Sequence, residues 1–168
     1  MGVELQGERV RLRPAADSDI APLTALAAHP EVVRWWGDND EDDIRTQICA
    51  PRAIAWAVEV EGDLNGLVVA TEENEPDYRS VELDLFLAGD MLGQGLGPDV
   101  LRTALRYLFD VRGHHRALIA PAAENRRAIR SYERVGFRPV GILRQAERAP
   151  DGRWRDALAM DLLADELR

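Results

Sequence analysis

The chain has 168 residues, a net charge of −9, three histidines and one cysteine. That length fits one domain, residues 1–168, with a full-sized core. The acidic balance argues against general nucleic-acid binding and for a cationic partner. All 21 basic residues are arginine, which excludes lysine nucleophiles and Schiff bases.

Cys49 cannot form an internal disulfide, reads as a small buried or half-buried residue, and suits a reducing, cytoplasmic setting. Met1 to Gln6 lacks the charged start and apolar run of a secretory leader, and Gln6 breaks the myristoylation pattern. No apolar run is long enough to span a bilayer, so no membrane partner is expected. His29, His114 and His115 lack ligand spacing, so no metal is expected.

Arg9 to Arg13 alternates apolar and charged residues and predicts a first strand, stopped by Pro14. Asp17 or Ser18 caps a helix to about Ala28, and His29-Pro30 breaks it. Glu31 to Trp36 reads as a short helix, and Gly37 to Asp43 as an acidic loop leading into a helix through Cys49. Ala53 to Val60 and Gly66 to Thr71 form a hairpin around Glu61 to Asn65, followed by a polar turn from Glu72 to Arg79. Val81 to Leu87 is a strand, Pro98 to Val111 a helix and Ala117 to Ala120 a short buried strand. A helix starts at Asn125, and Arg138 to Ala146 with Trp154 to Leu162 make a closing hairpin around Pro150-Asp151-Gly152. The chain has no repeat, low-complexity tract or linker, and the expected class is mixed α/β.

Leu92-Gly93-Gln94-Gly95-Leu96-Gly97-Pro98 lies between an apolar strand and a helix. Glycines at alternate positions let backbone amides approach a ligand closely, and a helix N-terminus adds partial positive charge, which suits a pyrophosphate. The spacing is neither a dinucleotide fingerprint nor a Walker loop. Alone, it reads first as a plain strand-to-helix turn. The second element is Asn125 to Phe137. Asn125 is a good N-cap and Gly136 a good C-terminal residue. Ala128, Ile129, Tyr132 and Val135 form one apolar stripe, and Asn125 and Tyr132 share a face two turns apart.

In this order and spacing, the two motifs resemble the GNAT superfamily of N-acetyltransferases. Trp35-Trp36-Gly37, the glycine turn and Asn125-x-x-Ala128-Ile129-Arg130-x-Tyr132-Glu133 together resemble its bacterial aminoglycoside 6′-N-acetyltransferases, from about Val10 to Met160. The resemblance implies a mostly antiparallel sheet with a V-shaped opening, helices on both faces, and acetyl-CoA as cofactor. The cofactor would lie along Leu85, Phe86 and Leu87, over Leu92 to Pro98, and beside Asn125, Ala128, Arg130 and Tyr132. Relatives carry a basic residue near the glycine turn where this chain has Leu92 and Gln94, so Arg126, Arg127 or Arg130 would supply the charge. Asp99 would suit the helix dipole but oppose the phosphates. Acetyltransferases of ribosomal-protein N-termini and of siderophore-precursor amines share this plan, and a non-catalytic CoA-binding regulatory module is the alternative outside enzymes.

Alternation puts Val81, Leu83, Leu85 and Leu87 on one strand face and Glu82, Asp84 and Phe86 on the other. Two carboxylates beside an aromatic are either ion-paired with arginines or functional. The resemblance implies Asp84 as the residue that takes the amine's proton and Tyr132 as the one that protonates the departing thiolate. Substrate-side expectations are Trp35 and Trp36 as core or as a wall for a sugar ring, Asp38 in the acidic loop, Glu82, and Asp156 as an acid interrupting an apolar face. Ala120 stands where the compared enzymes have an acid. The expected partner is a cationic primary amine, and the protein a monomer or homodimer.

Overall fold

The computed structural model describes residues 3–168. The leader and myristoylation readings rest partly on Met1 and Gly2, which lie outside the described residues. Eight strands form one sheet in sequence order up to a swap at the end, β1-β2-β3-β4-β5-β6-β8-β7. The strands are β1 (Leu5–Gln6), β2 (Val10–Pro14), β3 (Ala53–Val60), β4 (Asp63–Glu73), β5 (Ser80–Leu87), β6 (Arg116–Ile119), β7 (Arg138–Arg148) and β8 (Trp154–Leu163). Every pairing is antiparallel except β5 with β6. That parallel pair holds through only two positions, Val81↔Ala117 and Glu82↔Leu118. Beyond Glu82 the strands part, which is the expected V-shaped opening.

The helices are α1 (Ile20–Ala27), α2 (Pro30–Trp36), α3 (Glu41–Cys49), α4 (Leu96–Asp110) and α5 (Arg126–Val135). One core packs α4 and α5 against Val81, Leu83 and Leu87 of β5. On the other face α1, α2 and α3 pack with Leu67, Val69 and Phe86. The alternation predicted for β5 therefore holds, with its apolar face under α4 and its acidic face, with Phe86, toward α2. Val100, Leu101, Ala104, Leu105 and Leu108 of α4 are fully buried, a wide apolar stripe at helical spacing.

Several boundaries move for identifiable reasons. The β3–β4 pairing continues to Val60↔Asp63, so the turn shrinks to Glu61-Gly62, both at positive φ, as a tight two-residue hairpin turn requires. β4 runs on to Glu73 because buried Glu72 is satisfied by Arg112 and His114. α4 begins at Leu96, since Pro98 in a first turn sacrifices no helical bond. Cys49 is exposed, because it sits at the outer end of α3. Among the described residues, no helix is long and apolar enough to cross a membrane, and no cluster of His, Cys, Asp or Glu could hold a metal ion.

Candidate active site

The parting of β5 from β6 opens a cleft of about 890 Å³. Its floor is β5, with Glu82, Asp84, Leu85, Phe86 and Leu87. One wall is the end of α2 with Trp35 and Trp36, and the other is α5 with Asn125, Ala128, Arg130 and Tyr132. The glycine turn closes one end through Leu92, Gly93, Gly95, Leu96, Gly97 and Pro98. Residues separated by up to a hundred positions in sequence thus meet on one surface.

The turn is shaped as a cradle. Gly93 and Gly95 take φ of 78° and 77°, and a Cβ at either would meet nothing within 4 Å. Those conformations favour glycine, and the open space lies over the first amides of the 15-residue helix α4. A Cβ at Gly97 would only reach Ser131 Oγ, 3.8 Å away. Across the turn, Arg130 and Arg134 on α5 line the cleft without an acidic partner among the described residues. Arg127 also lines it but is bridged to Glu31 of α2 at 3.2 Å, and Arg126 faces elsewhere. Open amides, a helix N-terminus and unpaired guanidinium groups fit the pyrophosphate of a coenzyme A.

Two expectations about this turn are corrected. Gln94 does not line the cleft. Its side chain donates to the Asp90 carbonyl, and its own carbonyl accepts from Arg9 at 2.7 Å. Asp99 does not face the phosphates. Its buried carboxylate accepts from the backbone amides of Glu8, Arg9 and Val10 at 2.8–3.1 Å, so it ties α4 to the start of β2 and is turned away from the cleft.

α5 is built as its sequence predicts. Asn125 Oδ1 accepts from the Ala128 amide at 3.2 Å, and Gly136, at φ 118°, ends the helix. The capping leaves Asn125 and Tyr132 on the cleft side. Burial raises the Tyr132 phenol above its ordinary value, and the Asp84 charge raises it further. A phenol so shifted stays protonated and can donate.

Asp84 is the centre of the acidic floor. Trp36 Nε1–H donates to Asp84 Oδ1 at 2.9 Å, and the Trp36 ring packs on Phe86 with centroids 4.6 Å apart. Solvent reaches the carboxylate through the cleft mouth, yet the surrounding walls strip most of its hydration. That burial pushes its pKa up to about 6, against the lowering by the Trp36 and Leu85 donors, while Glu82 and Glu147 add like charge. Glu82 sits at the root of the fork, on the last β5–β6 pair. Asp84 is thus ionised at neutral pH but far more basic than an ordinary aspartate.

Trp35 and Trp36 both line the cleft, but neither is a free platform. The Trp35 ring already carries Arg34 and Arg155, with Cζ atoms 4.5 and 5.5 Å from its centroid. Asp38 is exposed in the loop after α2 and lies outside the cleft. The neighbouring acids build a helix start instead: Asp40 Oδ1 accepts from the Asp43 amide, and Asp43 Oδ2 from the Asp40 amide, each at 3.0 Å. Asp156 is exposed, not buried, and also outside the cleft. Its Oδ1 accepts from the Gln145 amide at 2.9 Å, where Gln145 takes φ 49° in a bulge of β7. Ala120 lines the cleft without charge, while Glu147 on β7 adds one that the sequence reading did not single out. Gln47, Thr71 and Ser131 line it too.

A split sheet with a glycine-rich helix start beside the split defines an acyl-CoA-dependent transferase. The family comparison agrees: residues 9–138 match the acetyltransferase (GNAT) domain model, and the chain belongs to that family. It is an N-acetyltransferase, and its cofactor is acetyl-CoA. Spermidine N(1)-acetyltransferase of Escherichia coli (strain K12) is 27% identical over 158 residues, covering 90% of this chain and 84% of that protein. Aminoglycoside N(6')-acetyltransferase type 1 of Klebsiella pneumoniae is 25% identical over 165 residues, covering 86% and 80%. Among solved structures, spermidine N-acetyltransferase from Vibrio cholerae in complex with CoA and spermine superposes with a TM-score of 0.81 at 25% identity, over 94% of this chain and 97% of that one.

Proposed function

We propose that the protein acetylates a primary amine of a polycationic small molecule, with the 6′-amino group of an aminoglycoside as the first candidate. The observation that carries this is Asp84: a carboxylate of raised basicity on the cleft floor, beside Glu82 and Glu147 and across from the glycine cradle. The relative from Klebsiella pneumoniae supports the aminoglycoside class, and the net charge of −9 favours cationic substrates in general. A linear polyamine is the second reading, favoured by the Escherichia coli relative and by Trp35, whose ring is already covered by guanidinium groups rather than left open to a sugar.

Acetyl-CoA, when bound, supplies the acetyl group as a thioester. The chain's own residues do the following. Gly93 to Gly97 and the start of α4 hold the pyrophosphate, with Arg130 and Arg134 neutralising it. The β5 edge beyond Glu82, which has no strand partner there, pairs with the amide-bearing arm as it would with a peptide. Asp84 takes the proton of the incoming ammonium at its carboxylate, while Trp36 holds that carboxylate in place. Glu82 attracts the substrate's other cationic groups. Tyr132 donates its phenolic proton toward the departing sulfur.

Thiol release from acetyl-CoA, measured with a panel of aminoglycosides, polyamines and N-terminal peptides, tests the proposal. Turnover with aminoglycosides supports the first reading and turnover with polyamines the second. Turnover with peptides alone would move the assignment to protein N-termini. CoA binding without turnover of any amine would mark a regulatory module.

A further inference from the structure

α2 ends at the active site, and its carbonyl end is closed in an unusual way. The last four carbonyls of a helix lack intrahelical donors. Here Val33 O accepts from the Gly37 amide at 3.0 Å, and Trp36 O from Asn39 Nδ2 at 3.1 Å. The middle two are taken by one side chain from the far end of the sheet. Arg155 Nη1 donates to Arg34 O at 2.7 Å, and Nη2 to Trp35 O at 3.1 Å. The third nitrogen, Nε, donates to Glu147 Oε1 at 3.0 Å. Arg155 is 10% exposed at its side chain and stacks against Trp35. All three guanidinium nitrogens are committed, each in a different direction. The next residue along α2 from the pair it grips is Trp36, whose indole N–H meets Asp84.

We infer that Arg155 is a positioning residue of the transfer site: it pins the carbonyl end of α2 to β8, so that the Trp36 indole N–H stays on the Asp84 carboxylate, and Glu147 holds the guanidinium for that task. Only a planar fork can serve two helix carbonyls and a carboxylate together. The arrangement also cancels Glu147, which lines the cleft near Asp84 and would otherwise press an unpaired negative charge on it. The charged groups around Asp84 are Glu82 on its own strand, Glu147 on β7, Glu31 on α2 paired with Arg127 of α5, and Arg130 and Arg134 on α5, unpaired among the described residues. Tyr132 faces it as a neutral phenol. Loss of Arg155 loosens the Trp36 donor and uncovers Glu147, and both changes make Asp84 harder to ionise.

The inference rests on Asp84 acting as proposed, so the test has an arm that needs no substrate. Tryptophan fluorescence of the whole protein is titrated from pH 4 to pH 9, and the transition absent from Asp84→Asn belongs to the Trp36–Asp84 contact. In Arg155→Ala its midpoint moves upward by about one pH unit, the size of a lost hydrogen bond to a charged group. Arg155→Lys keeps the charge but not the fork, and gives a smaller move in the same direction. In the kinetic arm, the acid limb of kcat/KM moves likewise, kcat falls and KM for acetyl-CoA stays constant. The double variant Arg155→Ala/Trp36→Phe lies above Trp36→Phe alone by less than the full Arg155→Ala shift, because only the uncovered Glu147 charge still acts once the indole is gone. If Arg155→Ala does not fold, Arg155→Lys carries both arms. An unmoved midpoint, or full additivity with Trp36→Phe, overturns the inference. A moved fluorescence midpoint with no turnover of any amine leaves the inference standing and removes the proposed function instead.

Discussion

Asp84→Asn separates proton removal from substrate placement. Asparagine keeps an oxygen for the Trp36 N–H, so the 2.9 Å contact survives, and only the capacity to hold a proton is lost. With a pKa near 6, Asp84 is almost wholly ionised at pH 7.5, ready to accept a proton from an ammonium. A primary amine like that of lysine titrates near about 10.4, so only about one molecule in a thousand is neutral at that pH. A variant without the base must wait for that fraction, which sets a loss of about 10²–10⁴-fold, the range typical of a positioned base. The pH profile is the sharper reading. The native enzyme gains activity through an acid limb near pH 6 and then levels, whereas the variant climbs about tenfold per pH unit toward the amine's own value. Initial rates of thiol release from pH 5 to pH 10, with CoA affinity from calorimetry as a control, measure both. A variant with native rates and the native profile would refute the base role; the same loss in Glu82→Gln instead would move it to Glu82.

Tyr132→Phe lowers kcat by less than Asp84→Asn, because water can protonate a thiolate, and the native pH profile shows no basic limb below pH 9 because burial keeps the phenol protonated. Gly95→Asp abolishes CoA binding by calorimetry while circular dichroism stays native, since the side chain enters open space over the cradle at a strained φ of 77°. Arg130→Ala with Arg134→Ala weakens CoA binding and flattens its salt dependence, with little change for dephosphorylated pantetheine. Glu72→Gln destabilises the fold far from the cleft. The Arg112 guanidinium, with His114, holds buried Glu72 down at about 2 from 4.5, which corresponds to about 3 kcal/mol. Its folded pKa is depressed, so that contribution is present above about pH 4.5 and disappears as pH falls toward 2; native protein therefore loses stability more steeply than Glu72→Gln across that window, measured by denaturant unfolding followed by fluorescence, and equal slopes would refute the pair.

The parts of the site that depend on local rules were readable in the chain. Alternation placed Asp84 and Phe86 on one face of β5, Asn125 and Gly136 marked the ends of α5, and the glycine spacing marked the cradle. What escaped depends on partners distant in sequence. Asp99 looks like a charge at a phosphate seat until the amides of Glu8, Arg9 and Val10 fold onto it. Glu72 looks like a turn residue until Arg112 and His114 arrive. Glu147 reaches the cleft after a register shift between Leu143 and Glu147 in the β7–β8 pairing, and an alternation count along β7 cannot foresee a bulge. Asp156 caps that same bulge from outside the cleft, a partner that an acid in an apolar stripe does not announce.

The two-position seam between β5 and β6 has a mechanical consequence. The sheet is two half-sheets, β1 to β5 and β6 to β8, stitched by two backbone pairs and by the helices that straddle them. A ligand that pairs with the free edge of β5 while gripping α5 completes the span between the halves. Cofactor binding energy then becomes cohesion of the sheet itself. Amide hydrogens of β8, which lines no part of the cleft, should exchange more slowly with CoA bound, and the half-sheet that carries Arg155 should stiffen as the cleft fills.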